Sequence, residues 1–466
     1  MDGFARLKMN IPILVPLRRF TLLCLVLAPA AAAEDWSMYL HDMAHSSVNT
    51  AESKLGVGNV GGLAQRWRLS LGNLVAAAPT VVNGVMYFGD WAGYFYAVNA
   101  FDGTILWKQY VGKSADPERT FCMPATGVSS QAVLADKTVY VGGGDSAVYA
   151  LDSTSGNVNW RVPLADPSTG AYLWSSMMLS GKSLYVGISS LGDCPLARGA
   201  LVRIDLGNPS QPAIRYLSTD HDRGAGVWST PAIDTATNTL FITTGTGTQD
   251  PAAGAWGSAL IALDATTLDI KSSFLLPTYL PDVDIEWGSS PTLFKSSDGS
   301  ALLGATGKDG ILYALHRDDL SLAWTAKLAV GCVSPEQGCG SLSTPAFDGN
   351  LLYVGAGAPD PDGFDHGSVY ALDPSNGQTI WLNAIPEPVI APVTFANGVL
   401  YVSSVSGVFA YNAQTGEQLW DDGGLGTIYS QPVIVDGTLY TTYFSGDVIA
   451  WKVPADASLL GRRHAR

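Results

Sequence analysis

The chain has 466 residues, with 26 Lys and Arg against 41 Asp and Glu, a formal net charge of −15. An acidic surface of this kind repels nucleic acid and anionic lipid, which excludes polyanion binding as its main role. With 51 Gly, 13 Trp and 47% hydrophobic residues, it is a turn-rich globular chain rather than a disordered one.

In chain order, residues 1–33 read as an export signal. Arg18-Arg19 supply the positive flank, Phe20 to Leu27 the apolar core, and Ala31-Ala32-Ala33 a small-residue cleavage site. The apolar run is too short to span a bilayer, so no stable membrane span is expected. The expected location is periplasmic or secreted. Cleavage removes four basic residues and one acid, leaving the remainder more acidic still.

Residues 34–454 read as one propeller domain, followed by a short basic tail at 455–466. Length alone would predict about three domains, but an internal repeat overrides that expectation. The repeat is hydrophobic-Tyr-x-Gly, then Tyr-Ala-Leu-Asp, then Gly-x-x-x-Trp. It is clearest at Tyr140-Val141-Gly142, Tyr149-Ala150-Leu151-Asp152, Gly156 and Trp160. Its alanine position recurs eight times, at Ala97, Ala150, Arg203, Ala262, Ala314, Ala371, Ala410 and Ala450, 39 to 59 residues apart. Runs that alternate apolar and polar residues mark half-buried strands, and Asn83-Gly84, Asn397-Gly398 and Asp436-Gly437 mark hairpins.

Four strands per unit, repeated radially, predict an all-β, eight-bladed β-propeller with four-stranded antiparallel blades. The rival count is seven blades with one degenerate unit. Each Trp is expected to wedge one blade onto the next. The last unit ends at Val448-Ile449-Ala450-Trp451-Lys452, without a Gly-x-x-x-Trp strand. A lone strand, Ala64-Gln65-Arg66-Trp67-Arg68, precedes the first unit. Placed as the missing outer strand of blade 8, this N-terminal strand near Trp67 closes the ring and protects its edges.

Export also bears on the cysteines. Cys24 lies in the signal, and four remain: Cys122, Cys194, Cys332 and Cys339. An even number in an exported chain predicts two disulfides. Cys332 and Cys339 bracket a short loop, which leaves Cys122 for Cys194. Six scattered His and no Cys-x-x-Cys make a structural metal site a weak reading, and no Cys-x-x-Cys-His motif exists for a c-type haem.

These repeats resemble those of the pyrroloquinoline quinone (PQQ) propeller family, over nearly all of the chain after the signal. Asp35-Trp36-Ser37-Met38-Tyr39-Leu40-His41-Asp42 is similar to that family's lead-in. Gly192-Asp193-Cys194-Pro195-Leu196 and Gly288-Ser289-Ser290-Pro291-Thr292 resemble its polyvinyl-alcohol-dehydrogenase-type members. The resemblance implies a PQQ-dependent dehydrogenase that oxidises a small-molecule or polymeric alcohol and passes electrons to a separate acceptor such as a cytochrome. Trp228 then matches the cofactor's floor, Glu286 the catalytic base with Asp284 in reserve, and Lys308 the cation at the reactive carbonyl. The chemistry needs these types: a flat ring to stack, a carboxylate to take a proton, a cation to meet developing charge.

Calcium is the implied metal, with departures. Thr248 stands where the family's metal- and cofactor-binding Asn follows Gly245-Thr246-Gly247, and a hydroxyl is the poorer ligand. Asp193 falls only near the position of the family's metal-binding Glu. Cys122 stands alone, where methanol dehydrogenases carry adjacent cysteines. Propeller blades also serve cofactor-free scaffolds that bind proteins, and carbohydrate- or polymer-binding domains. Those two classes remain the alternatives.

Overall fold

The computed structural model describes residues 1, 3, 35–115, 122–279, 284–332, 338–359 and 366–455. The chain divides into a unit Met1–Ala32 and a unit Ala33–Arg466, and the fold is that of the second. All of the expected signal but residues 1 and 3, and all but the first residue of the expected tail, lie outside the described residues.

Eight four-stranded antiparallel sheets follow one another along the chain. Blade 1 consists of Thr80–Val82, Val85–Gly89, Tyr94–Asn99 and Ile105–Tyr110, in that order across the sheet. Blades 2 to 7 occupy 133–163, 178–216, 232–275, 292–327, 346–385 and 394–421. Blade 8 is Val433–Val435, Thr438–Thr442 and Asp447–Lys452, and its outer strand is Ala64–Ser70. The ring is therefore closed by the N-terminal strand, as the repeat predicts, and Trp67 pairs with Ala450.

The repeat's consensus now has a physical cause. In six blades a fourth-strand Trp faces a third-strand Ala: Ala97↔Trp107, Ala150↔Trp160, Ala314↔Trp324, Ala371↔Trp381, Ala410↔Trp420 and Ala450↔Trp67. A small residue opposite leaves room for the indole to lean outward onto the next blade. There it meets a glycine. A Cβ on Gly103 would sit 2.8 Å from Trp67, and one on Gly156 would sit 2.6 Å from Trp107. Both glycines also hold a positive φ, 79° and 74°, so the turn and the close approach both favour Gly. The indole N–H completes the joint: Trp107 Nε1 donates to Ser153 O at 3.0 Å, and Trp381 Nε1 to Ala413 O at 2.9 Å.

The buried apolar residues fall into eight clusters, one at each junction of successive blades, the blade 8–blade 1 junction included. Among the described residues no single core fills the axis. The axis is a channel, lined by the approach to the inner strand of each blade.

Two features organise that channel. The first is a hydrogen-bonded belt, in which each backbone N–H donates to a hydroxyl of the next blade. It runs from Gln131 to Ser176 at 2.9 Å, Ser176 to Thr230 at 3.0 Å, Thr230 to Ser290 at 2.9 Å and Ser290 to Thr344 at 3.2 Å. The second is a strap formed by residues 36–49. Trp36 N–H donates to Val81 O of blade 1, and Leu134 of blade 2 donates to Ser37 O. Met38 packs against the clusters on either side of blade 3. Ile233, Leu293, Phe347 and Phe395, from blades 4 to 7, donate in turn to Met43, Ala44, Ser46 and Ser47. Asn49 Nδ2 then reaches Ile434 O of blade 8 at 2.8 Å. One short segment thus stitches every blade. It also seats the half-buried Tyr39 in the channel, which Ser290 and Thr344 line with it.

Candidate active site

The site is built by a backbone pairing between two segments of blade 5. Trp287 is fully buried, bridges to Gly307, and donates its Nε1–H to Ser258 O at 3.1 Å. Lys308 N–H donates to Glu286 O at 2.9 Å, and Gly288 N–H to Thr306 O at 2.7 Å. With Trp287 anchored inward, its neighbour Glu286 faces the channel, and Lys308 is held beside it.

The side chains complete a tight cluster. Lys308 Nζ lies 2.6 Å from Asp284 Oδ2 and 3.1 Å from Glu286 Oε1. From blade 4, the Thr246 N–H donates to Glu286 Oε2, and the Thr246 hydroxyl lies 2.8 Å from Asp284 Oδ1 and 3.0 Å from Glu286 Oε2. A Cβ on Gly245 would meet Glu286 Oε2 at 2.5 Å and Trp228 Nε1 at 3.3 Å. Gly245 therefore lets the carboxylate and the indole share one spot. A pocket of about 240 Å³ opens here, lined by Trp174, Gly192, Asp193, Trp228, Glu286 and Lys308 among others.

Burial shapes the charges. Desolvation raises the Glu286 pKa, opposed by Lys308 and assisted by Asp284 and Asp193. For Lys308, burial pulls downward, but the charges of Glu286 and Asp284 outweigh it and the net direction is up. Asp193 lines the pocket from the blade 3 rim. Partial burial of its carboxyl, then the Asp284 charge, raises it against Lys308. Two acids thus share one lysine at contact distance, and the pKa values of Glu286 and of the nearby Asp193 are both raised.

Both disulfides flank this pocket. Cys122 and Cys194 are bonded, with Cα atoms 5.6 Å apart, as are Cys332 and Cys339 at 5.7 Å. A Cβ on Gly192 would lie 3.2 Å from Cys122 Sγ. On the other side, Cys332 N–H donates to Lys308 O at 2.8 Å.

The structure brings Trp228, Glu286, Lys308 and Asp193 to one pocket, with Asp284 behind the wall on Lys308 and Thr246. It leaves out Thr248, which is exposed and absent from the pocket wall. Thr246 stands there instead. The Gly-Thr-Gly triplet was the available signal: glycines on both sides let its backbone approach a carboxylate. The calcium expectation also meets an obstacle. No three His, Cys, Asp or Glu among the described residues converge on a metal-sized point. The space between Asp284 and Glu286 is taken by the Lys308 ammonium.

Fold and pocket together define an eight-bladed β-propeller with an acid–lysine site on its central channel. The chain belongs to the PQQ-repeat propeller family: the family model described as outer membrane protein assembly factor BamB matches residues 62–208 and 297–458. It is similar to a polyvinylalcohol dehydrogenase of Sphingopyxis sp., 24% identical over 79% of this chain and 64% of that protein. The chain thus spans just under two thirds of that relative's length. Among solved structures, quinohemoprotein alcohol dehydrogenase ADHIIG of Pseudomonas putida HK5 superposes with a TM-score of 0.74 at 17% identity, over 90% of this chain and 80% of that one. BamB of Moraxella catarrhalis gives 0.55 at 15% identity, over 84% and 99%. These superpositions speak to fold alone.

The pocket can be tested against the groups the family implies. A flat quinone fits: Trp228 offers a ring, Gly226 and Gly245 keep the wall thin, and Lys308 offers an edge cation. Calcium does not fit: Thr248 is off the pocket wall, Lys308 fills the space between Asp284 and Glu286, and no three His, Cys, Asp or Glu side chains among the described residues converge near Asp193 or elsewhere.

Proposed function

We propose that the chain is an exported PQQ-dependent quinoprotein dehydrogenase, oxidising an alcohol and delivering the electrons to a separate acceptor. The observation that carries this reading is the Glu286–Lys308–Asp284 cluster set against Trp228 in a channel pocket. Similarity to polyvinylalcohol dehydrogenase supports it. No helix among the described residues is long and apolar enough to cross a membrane.

PQQ, when bound, supplies a two-electron oxidant able to accept hydride from the alcohol carbon. Trp228 would hold its ring, and Lys308 would meet its anionic edge. Glu286 takes the hydroxyl proton. Its raised pKa makes it a stronger base than an exposed glutamate, and the Thr246 N–H aims one of its oxygens. Lys308 keeps Glu286 in place and balances charge gathering at the site. Asp284 holds Lys308 at 2.6 Å and so fixes the ammonium's direction.

Titrating the purified protein with PQQ, read by tryptophan quenching and by a bound quinone absorbance, tests the proposal. Stoichiometric uptake and alcohol-dependent bleaching are expected. A protein that takes up no PQQ belongs instead with the cofactor-free, protein-binding scaffolds, which the family model's description favours.

A further inference from the structure

Next to the acid pocket the channel widens into a cavity of about 410 Å³ that the reaction above does not use. Trp174, Trp228 and Leu342 line both spaces, so the two adjoin at these side chains. Along blade 4, Trp228 lies at the pocket, Thr230 in the belt and Ile233 under the strap, so the cavity runs down toward Tyr39.

Its wall is a run of edge-to-face rings from blades 8, 1 and 3. Tyr429 and Phe444 are 4.8 Å apart, Phe444 and Trp91 5.0 Å, and Trp91 and Trp174 6.3 Å. The indole donors are already used. Trp91 Nε1 donates to Ser129 Oγ at 3.0 Å, and Trp174 Nε1 to Ser190 O at 3.0 Å. What these two rings offer the cavity is therefore carbon, held in place.

One polar atom in this cavity lacks a partner. Gln431 is 1% exposed and lines the space, yet its Oε1 has no hydrogen-bond partner among the described residues. The orientation of its amide is fixed through a chain of bonds. Gln131 Nε2 donates to Pro79 O at 2.9 Å, so Gln131 Oε1 must accept, and Gln431 Nε2 donates to it at 3.0 Å. Gln431 Oε1 is left as a buried acceptor. Such an atom is costly unless a donor arrives.

We infer that this aromatic half of the channel binds the body of a bulky apolar alcohol that carries a second hydroxyl, and that Gln431 accepts the hydrogen bond of that second hydroxyl. The inference deepens the dehydrogenase reading and rests on it, with one hydroxyl delivered to Glu286 and the other held across the channel. A two-carbon alcohol would touch little of the wall. Cavities of this size suit ligands of drug-like bulk lined by aromatic carbon, with a few placed polar groups.

The test is calorimetric titration of the full chain, with and without PQQ, using 1,4-benzenedimethanol, benzyl alcohol and ethanol. The diol is expected to bind about fivefold tighter than benzyl alcohol, with ethanol giving no measurable heat. Gln431→Leu should bring the diol down to the level of benzyl alcohol and leave benzyl alcohol unchanged. Phe444→Ala should weaken both aryl ligands by about tenfold. Equal binding of diol and benzyl alcohol by the wild type overturns the inference without recourse to a variant. So does unaltered binding in Phe444→Ala. PQQ uptake with no diol binding defeats this inference alone. Diol binding without PQQ uptake defeats the dehydrogenase reading and leaves the cavity's assignment standing.

Discussion

Lys308 is tied to Glu286 twice: its Nζ stands 3.1 Å from Glu286 Oε1, and its backbone N–H donates to the Glu286 carbonyl at 2.9 Å. The side-chain pair therefore rests on a backbone pair and does not depend on two long side chains finding each other. That matters because a buried ion pair is stabilising only when its geometry is fixed in advance. The pair also sets opposite protonation demands on one small site.

Those demands predict a bell-shaped pH profile. Glu286 must be ionised to act as base, and its pKa is raised above the ordinary 4.5. Turnover should rise with pH through a midpoint above that value. It should fall again only as Lys308 loses its proton, above the ordinary 10.5, because its pKa is raised too. Glu286→Gln should cut kcat by roughly 10²–10⁴-fold while PQQ affinity stays within about threefold, since the floor and cation remain. Retained turnover in that variant would transfer the base to Asp284.

The occupied space between the two acids predicts indifference to chelators. Protein dialysed against EDTA should bind PQQ as the untreated protein does. Calcium should give no heat below about 1 mM, the weak end of protein calcium sites. Lys308→Met should vacate the space and allow a lanthanide ion to bind, read by terbium luminescence. Stoichiometric calcium binding by the wild type would show that the ammonium yields its place.

Much of the ring was legible in the sequence because one packing solution is reused. Trp107 needs Ala97 opposite and Gly156 on the next blade, so three residue types recur at fixed spacing. Blades 3 and 4 lack the Trp; there Arg203 faces Ala213 and Ala262 faces Ser272, and only the strand pattern betrays them. The site was legible where it follows a motif, as at Trp228 and Lys308. It was not legible at Thr246, which meets Glu286 across forty positions of sequence and a blade boundary. Thr248 follows the same triplet but is exposed and does not line the pocket. The strap's stitching role was not legible, because only Val48–Asn49 of it is strand. Its register is set by eight separate blades.

The disulfide between Cys122 and Cys194 joins residues 72 apart and backs the Gly192–Asp193 wall. Replacing both cysteines with serine should cost about 2–4 kcal/mol of stability through the freed unfolded chain. It should also weaken PQQ binding, which the Cys332–Cys339 double replacement should do less, because that bridge touches Lys308 only through its backbone. Thermal unfolding and the PQQ titration, run on both variants, separate the two effects. Equal loss of binding in both would mean the bridges act through stability alone.

The strap carries a pH dependence of its own. His45 is fully buried, its Nδ1 lies 2.8 Å from Pro291 O, and its Nε2 has no partner among the described residues. Burial lowers its pKa from 6.5 to about 4, with Pro291 and Asp42 opposing. The fold therefore holds His45 neutral while the unfolded chain takes up a proton below pH 6.5. Stability from this residue is complete above that pH and falls away as pH drops toward 4, by roughly 3 kcal/mol at the limit. His45→Gln keeps a polar side chain without a titrating ring. It should flatten the slope of melting temperature against pH between 6.5 and 4, while the wild type loses stability across that window. Because the strap touches all eight blades, the acid-destabilised wild type should lose the ring as one unit, with tryptophan fluorescence and far-ultraviolet dichroism melting together. A variant whose slope matches the wild type's would place the acid sensitivity elsewhere.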